Sequence, residues 1–373
     1  MKQKPLVLLS LLCFCIPLLA CGQTAAELTT AVLSTEHELK FGGAYICISI
    51  EDFCALGFAY GDSVDIAFSN GHRVEDVPFY NGYYGRTGEV LLCAYPGYPY
   101  VKACINNGGD LFEQEELDEG CTAVITLHTA GKYRSIQDAL SLVYTTERSD
   151  YGSDEIFANF RPMEVGGLKT GTFYRSASPC DNEYGRAECV DALCRQAGIA
   201  YCIDLAENKE ELASCYGNGE GHCPYWQSLY AAGKVLPLDM SMNYRNEVFA
   251  AAVVRGMESI LQEEGPYLIH CLEGKDRTGV FCFVLEALAG ASYEELRDDY
   301  METFVNYYGL DPQSQSYAAV INYRFDDIAL YFSGAEDVSE IKTAALGAGA
   351  EKYLTMGGMS AEKLAALKAA IQK

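Results

Sequence analysis

The segment 270–279, of sequence HCLEGKDRTG, places Cys271 and Arg277 six residues apart on either side of Gly274. A cysteine thiolate is a strong nucleophile, and the planar fork of a guanidinium group matches two oxygens of a phosphate. Gly274 and Gly279 permit tight backbone curvature and a close approach of the ligand. The spacing therefore predicts a loop that binds a phosphate group and attacks its phosphorus.

The flanks of this loop indicate a strand before it and a helix after it. Residues 266–270 form a short apolar run, opened by a Gly-Pro pair, that is typical of a buried strand. Residues 280–289 are mostly apolar, and Gly290 is suited to end a helix. The N-terminus of that helix offers unpaired N–H groups and a partial positive charge, which favour a bound anion and the thiolate form of Cys271.

The other residues of the loop are predicted to support this chemistry. The Thr278 hydroxyl can donate a hydrogen bond to the sulfur when it leaves, and His270 can orient the loop through its ring nitrogens. Lys275 can add positive charge toward the leaving group or a second phosphate, whereas the charge of Glu273 can discourage polyphosphorylated ligands. The predicted substrate-binding residues are His270, Leu272, Glu273, Gly274, Lys275, Thr278 and Gly279.

These residue types predict a displacement in two steps. Cys271 attacks phosphorus to form a cysteinyl phosphate while a general acid protonates the departing oxygen. The same acid, now a base, activates a water molecule that releases phosphate. This scheme requires no metal and no other cofactor.

The loop resembles the signature of cysteine-dependent phosphatases. Its Gly-Lys-Asp-Arg-Thr-Gly form is similar to a bacterial tyrosine phosphatase family of the atypical dual-specificity type, which also hydrolyses phosphoinositides. The likeness covers about residues 133–373 and implies a phosphatase-like α/β fold with a mainly parallel central sheet flanked by helices. Residues 162–163, Pro-Met, stand where the family usually has Asp-Leu, and Glu273 stands where alanine is frequent. The segments that carry the likeness outside the loop are 159–161, 166–168, 171–177, 203–205, 353–354 and 357–360.

The resemblance implies two candidates for the general acid. Asp239 lies 32 residues before Cys271, where phosphatases of this superfamily often carry their acid on a mobile loop. Asp276 lies within the phosphate loop, and the equivalent acid is suspected of the role in relatives with Lys-Asp-Arg. The structural alternatives are a helix cap or turn residue for Asp239 and a carboxylate that orients Arg277 or Lys275 for Asp276. Both stay open, and we favour Asp276.

The resemblance also implies a substrate class. Phosphotyrosine in a protein or peptide comes first, with phosphoserine and phosphothreonine as further substrates. The alternatives are a phosphoinositide or inositol phosphate, or a lipoprotein that binds phosphate ligands without turnover. A rhodanese or arsenate reductase fits less well, because its active loop does not need the Arg-Thr-Gly of residues 277–279. Arg161 and Arg175, in the family-like opening segment, are expected to pair with acids inside the fold.

The N-terminus has the pattern of an export signal. Lys2 and Lys4 precede an apolar run over residues 6–20, which is too short to span a membrane comfortably and is followed by Cys21. The pattern predicts a lipoprotein signal peptide over residues 1–20 and a cell-envelope lipoprotein anchored through acylated Cys21. An ordinary signal peptide and secretion of the protein are the alternative.

Composition narrows the set of partners. The formal net charge of −25 disfavours nucleic acid and anionic membrane surfaces, so membrane contact is expected only through the lipid anchor. The 16 cysteines permit disulfides, of which Cys215–Cys223 is the most plausible, with buried free thiols as the alternative. No Cys-x2-Cys pair occurs and the five histidines are scattered, so no zinc site is expected.

The chain divides into a β-rich part and an α/β part. Residues 21–38 are predicted to be a tether, and residues 39–130 a small all-β barrel or sandwich, because short Val, Ile, Tyr and Phe runs alternate with turn residues. Over residues 133–373 strand and helix signals alternate, which predicts the phosphate loop at the carboxyl end of a central strand. Local predictions are a hairpin turn at Asn70-Gly71, a strand at 199–204, a helix opened by a Ser292–Glu295 capping box and a final helix opened by Ser360.

Overall fold

The computed structural model describes residues 28–183, 185–218 and 223–373. The predicted signal peptide, residues 1–20, and the predicted acylation site, Cys21, lie outside these residues. Among the helices of the described part, none combines the length and the apolar character that a membrane crossing requires.

Seven strands of the N-terminal region form a closed barrel, in the order β1-β2-β6-β5-β4-β3-β7. The barrel interior is filled by buried apolar side chains such as Phe53, Ile66 and Phe79. The sequence did not distinguish a barrel from a sandwich, and the closed order of the strands shows that the domain is a barrel. The strands are β1 Leu33–His37, β2 Ala44–Ile46, β3 Ser63–Phe68, β4 Arg73–Tyr80, β5 Val90–Cys93, β6 Val101–Ile105 and β7 Thr122–Thr129, with helices α1 Ile50–Ala55 and α2 Leu111–Gln114 between them.

Two details of the barrel bear on the predictions. The turn at Asn70-Gly71 joins the antiparallel strands β3 and β4 as predicted, and Gly71 takes the left-handed φ of 95° that favours glycine. The predicted tether, residues 21–38, overlaps the barrel, because β1 pairs with β2 and β7. The sequence of β1, LSTEH, contains one apolar residue and no clear alternation of apolar and polar residues. The pairing of this strand was therefore not visible in the hydrophobic pattern.

A five-stranded sheet follows, in the order β11-β10-β12-β9-β8. Pairs β10–β11, β10–β12 and β12–β9 are parallel, and the short edge pair β8–β9 is antiparallel. The predicted mainly parallel sheet is therefore confirmed, as is the predicted strand at 199–204. The strands are β8 Arg161–Pro162, β9 Phe173–Ser176, β10 Tyr201–Asp204, β11 Val235–Pro237 and β12 Tyr267–His270.

Helices surround this sheet and bury its apolar side chains. Helix α9 is buried along almost its whole length and packs against the central strand β12. The Ser292–Glu295 capping box and the Ser360 cap are formed as predicted. The helices are α3 Arg134–Leu140, α4 Asp154–Ala158, α5 Ala187–Ala197, α6 Lys209–Asn218, α7 Pro224–Ala231, α8 Glu247–Ser259, α9 Asp276–Leu288, α10 Tyr293–Tyr308, α11 Gln315–Val320, α12 Asp326–Ser333, α13 Thr343–Met356 and α14 Ala361–Ile371.

The barrel contacts the α/β part through the loop between β4 and β5. The Thr87 hydroxyl lies 3.4 Å from the Tyr244 hydroxyl, which donates to Asp327 at 2.7 Å. Arg324 donates a hydrogen bond to the carbonyl oxygen of Tyr83 in the same loop. The loop between β4 and β5 is thus joined to the segment after β11 and to the region of α12.

The thirteen described cysteines outside the N-terminal segment are free thiols. The predicted disulfide Cys215–Cys223 is not formed. Cys215 neighbours Cys180 instead, and Cys223 is buried in an apolar cluster with Cys194. The alternative prediction, that the cysteines are free thiols, is the one that holds for the described residues.

Candidate active site

The phosphate loop connects the central strand of the sheet to the N-terminus of a buried helix. Strand β12 ends at His270 and helix α9 begins at Asp276, so residues 271–275 form the connection. Strands β10 and β9 flank β12 in parallel register. The loop therefore lies at the carboxyl end of the sheet, where α/β folds bind their ligands.

The carbonyl groups of the loop are engaged by groups from other elements. The N–H of Ser178 donates to the carbonyl oxygen of Leu272 at 3.0 Å. The carbonyl oxygen of Gly274 accepts from Nη2 of Arg175 at 2.9 Å and from the side-chain amide of Asn159 at 3.4 Å. These bonds fix the orientation of the peptide units in the loop.

The N–H groups of the loop, unlike its carbonyl groups, are not engaged in hydrogen bonds with the described residues of the protein. Within the described part of the chain, no N–H of residues 272–275 donates to a protein acceptor. The first turn of α9 adds its own unpaired N–H groups. Gly274 has a φ of 69°, and a Cβ there would lie 2.1 Å from the carbonyl oxygen of Ser176. Glycine is thus required at this position. The loop conformation that it permits leaves a set of N–H groups that can bind the oxygens of a phosphate.

The predicted nucleophile and the predicted phosphate ligand occupy the two ends of this loop. Cys271 is 3% exposed at its start. Arg277 is half-buried in the first turn of α9 and donates from Nη1 to the carbonyl oxygen of Met240 at 3.3 Å. The hydroxyl of Thr278 is buried and has no partner among the described residues, so it is not committed to another acceptor. This arrangement is compatible with the predicted hydrogen bond from Thr278 to the sulfur.

His270 is buried directly before the nucleophile. Burial lowers the pKa of His270 to about 4, so the ring is neutral at pH 7. Neither ring nitrogen has a hydrogen bond of good geometry with a described residue, but the ring lies beside the backbone of Cys271, so its role in orienting the loop stays a prediction. The backbone of His270 also contributes, since its carbonyl oxygen accepts from the N–H of Leu205 at 2.9 Å.

A buried ion-pair network of Asp299, Arg161 and Arg175 supports the phosphate loop. Asp299 on α10 accepts from Arg161 at 3.2 Å and from Arg175, and both arginines are buried. Although burial alone would raise it, the charges of Arg175 and Arg161 lower the pKa of Asp299 to about 2. The prediction that the two arginines pair with acids inside the fold is confirmed. Arg175 thereby links Asp299 to the carbonyl oxygen of Gly274.

Lys275 is compensated by acids of its own loop. Its Nζ lies 2.6 Å from Glu273 and 3.7 Å from Asp276, and it donates to the hydroxyl of Tyr308 at 2.9 Å. The hydroxyl of Tyr144 donates to the other oxygen of Glu273 at 2.9 Å. Although burial alone would lower it, the charges of Asp276 and Glu273 raise the pKa of Lys275 well above its ordinary value. The lysine is therefore a paired cation.

The two candidate acids lie in different surroundings. Asp276 is the first residue of α9, and its side chain is 42% exposed beside Lys275. Asp239 is exposed after β11, with a left-handed φ of 49°, and lines a surface groove with Arg255. The carbonyl of the residue after Asp239 is the one that accepts from Arg277. Asp276 directly follows the loop that begins at Cys271, the predicted nucleophile, whereas Asp239 is linked to Arg277 through the carbonyl oxygen of the next residue, Met240.

Sequence reasoning did not identify Asp299, Tyr144 or Tyr308. Their partners in the network and the loop lie between 33 and 138 residues away along the chain. No local pattern marks them, and a signal would have required the knowledge that α10 packs behind the loop.

A cysteine, an arginine and unpaired N–H groups, set in a loop between strand and helix, define a cysteine-dependent phosphatase. A sequence model of the tyrosine phosphatase family matches residues 157–373. The chain belongs to this family.

Other comparisons are more distant. No curated protein matches the chain. The core catalytic domain of the PP-IP phosphatase SIW14 from S. cerevisiae, in complex with citrate, is 21% identical, with 44% of this chain and 92% of that chain covered and a TM-score of 0.27. A Siw14 catalytic core is 17% identical, with 52% and 91% covered and a TM-score of 0.28. At these TM-scores neither structure informs the substrate of this protein.

Proposed function

We propose that this phosphatase hydrolyses phosphotyrosine in proteins or peptides through a cysteinyl-phosphate intermediate at Cys271. The observation that carries the proposal is the phosphate loop. The N–H groups of residues 272–275 have no acceptor among the described residues, whereas the carbonyl oxygens of Leu272 and Gly274 accept hydrogen bonds from other elements. Such a loop binds the phosphate and places its phosphorus next to the sulfur. Arg277 supplies two further donors for the oxygens.

The steps follow from the positions of these groups. The sulfur of Cys271 forms a bond to phosphorus, and the ester oxygen leaves with a proton, which we assign to Asp276. In the second step Asp276 accepts a proton from water, whose oxygen attacks phosphorus. The S–P bond breaks, phosphate leaves and the thiolate returns, with Thr278 as hydrogen-bond donor to the sulfur. Throughout, the loop N–H groups and Arg277 stabilise the charge on the three remaining oxygens.

Charge and shape at the loop support phosphotyrosine over inositol polyphosphates. Lys275 is paired with two acids, while Arg277 forms no salt bridge with a described residue. A single unpaired cation suits one phosphate group. The rings of Tyr144 and Tyr308 meet edge to face, 5.4 Å apart, beside Glu273, and they offer an aromatic surface to the ring of a phosphotyrosine.

Replacing Glu273 by alanine is expected to widen the substrate range. The change releases Lys275 from its closest anion, so a second phosphate can bind there. We expect kcat/KM for inositol hexakisphosphate to rise about tenfold relative to that for a phosphotyrosine peptide. Glu294→Ala, on the exposed first turn of α10, is the control and leaves the ratio unchanged. An unchanged ratio in Glu273→Ala contradicts the assigned role of the Glu273–Lys275 pair.

The identity of the general acid can be measured with substrates of different leaving-group pKa. We expect Asp276→Asn to lower kcat about a hundredfold for a phosphotyrosine peptide but less than about tenfold for p-nitrophenyl phosphate, because only a poor leaving group needs the proton. Asp239→Asn should change both rates equally and little. The reverse pattern would assign the role to Asp239.

Trapping of the intermediate tests the proposed function directly. A phosphotyrosine peptide labelled in its phosphate is mixed with the protein and quenched in denaturant within milliseconds, and the label is mapped by mass spectrometry. We expect the label on Cys271, and we expect vanadate to compete with the peptide. Binding of the peptide without label transfer or turnover would instead indicate a phosphate-binding lipoprotein.

We further propose that the protein is exported and anchored to the cell envelope through acylated Cys21. The apolar run over residues 6–20 and the cysteine that follows it support this placement. Expression of the full chain and of Cys21→Ala in a bacterium, followed by detergent partitioning, tests it. The full chain is expected in the detergent phase and the variant in the aqueous phase; an aqueous full chain would leave secretion as the alternative.

A further inference from the structure

A cysteine and two acids meet beside the phosphate loop without a part in the chemistry above. Asp204 ends strand β10, Glu207 follows in the next loop, and Cys180 lies in the loop after β9. One ligand atom from each lies within 4.8 Å of the other two. The sulfur of Cys180 is 3.9 Å from Oδ2 of Asp204. Asp204 and Glu207 are 0% and 6% exposed, so two carboxyl groups are buried side by side.

The polar atoms of this cluster are incompletely satisfied. Oδ1 of Asp204 accepts from the N–H groups of Ala206 and Glu207, at 2.9 and 3.2 Å, whereas Oδ2 lies toward Cys180 and His270. Oε2 of Glu207 is buried and has no hydrogen-bond partner among the described residues. A buried carboxylate oxygen without a partner is unfavourable. A cation bound by the two acids and Cys180 supplies that partner.

We propose that Cys180, Asp204 and Glu207 bind a thiophilic divalent cation, with zinc as the best fit. A mixed set of thiol and carboxylate ligands suits zinc, whereas magnesium and calcium prefer oxygen alone.

The distances fit this assignment. With zinc–sulfur bonds of about 2.3 Å and zinc–oxygen bonds of about 2.1 Å, a tetrahedral site separates sulfur from oxygen by about 3.6 Å. The separation between Sγ of Cys180 and Oδ2 of Asp204 is 3.9 Å, a few tenths of an ångström from this value, and the other two separations are at most 4.8 Å. The spacing rules for zinc motifs do not disclose it, because its members come from separate elements.

The site is separate from the nucleophile but borders its support. The N–H of Ser178, two residues before Cys180, donates to the carbonyl oxygen of Leu272. The N–H of Leu205, next to Asp204, donates to the carbonyl oxygen of His270. A cation bound there joins the segments that hold the loop, so we assign it a structural role.

Zinc binding is measured in the Cys271→Ser background, because the thiolate of the phosphate loop can itself bind zinc. The reduced protein is dialysed against micromolar zinc, and the bound metal is counted by atomic absorption. We expect one equivalent in Cys271→Ser and its loss in the double variants with Cys180→Ser or Glu207→Gln. The matched control is Cys189→Ser in the same background, since Cys189 also lies beside an acid, 3.8 Å from Asp154, but keeps the equivalent.

A second measurement protects the test against misfolding. Cobalt replaces zinc, and its thiolate charge-transfer and tetrahedral absorption bands are recorded together with the far-ultraviolet circular dichroism of each variant. We expect the thiolate band to disappear in Cys180→Ser while the circular dichroism stays that of the parent. Equal zinc content in all four proteins, or no bound metal in Cys271→Ser, overturns the proposal.

Discussion

Replacing Cys271 by serine is expected to lower kcat/KM for p-nitrophenyl phosphate and for a phosphotyrosine peptide by at least about 10⁴-fold. A serine hydroxyl at the start of the loop is a far weaker nucleophile than a thiolate. The N–H groups of residues 272–275 and Arg277 are unchanged, so binding of the peptide should persist. Steady-state kinetics and calorimetric titration measure the two quantities separately.

Two results would count against this assignment. Cys189→Ser, on α5, is the control for the loss of a thiol and should keep the activity of the parent protein. If Cys271→Ser retains more than about one per cent of the rate, the sulfur is not the nucleophile. If it loses peptide binding as well, the loop has changed its shape and the kinetic comparison fails.

Replacing Asp299 by alanine is expected to destabilise the fold by about 3–5 kcal/mol. Its carboxylate lies between Arg161 and Arg175, whose side chains are 7% and 1% exposed. Removal of the acid leaves the buried Arg175 without its salt-bridge partner and leaves Arg161 with only the exposed Glu302, 3.6 Å away. Arg175 then also loses its orientation toward the carbonyl oxygen of Gly274, so we expect activity to fall in the fraction that stays folded.

Asp298 provides a matched control one residue away. It is 65% exposed and pairs with Arg297 at the surface at 2.7 Å, so Asp298→Ala should change stability by less than about 1 kcal/mol. Urea unfolding of both variants measures the free-energy difference. A loss of similar size in the two variants would show that the buried network has no special weight.

The phosphate loop could be predicted because its determinants are local. A buried apolar run, a glycine with its special backbone angle and a helix start all lie within about twenty residues of Cys271, and each leaves a pattern that depends on nearest neighbours. The alternation of strands and helices likewise follows from hydrophobic periodicity. The closure of the barrel did not follow, because β1 contributes backbone hydrogen bonds through a largely polar segment.

The support of the loop could not be predicted because it depends on distant pairs. Asp299 meets Arg161 across 138 residues, and Tyr144 meets Glu273 across 129. An aspartate in a helix and a tyrosine in a polar segment have many ordinary uses. Their partners are decided when α10 packs against α9 and α4, which is a property of the tertiary structure. The same reason hid the proximity of Cys180, Asp204 and Glu207.

The tethered carbonyls of the loop have a consequence for what happens after each turnover. Because Arg175 and Asn159 hold the peptide of Gly274 in place, the phosphate loop keeps its shape after the leaving group has dissociated. Released inorganic orthophosphate offers it the same oxygens as the substrate did. Product should therefore linger in the pocket and compete with fresh ester, so the working rate of the protein depends on how much free orthophosphate its surroundings contain.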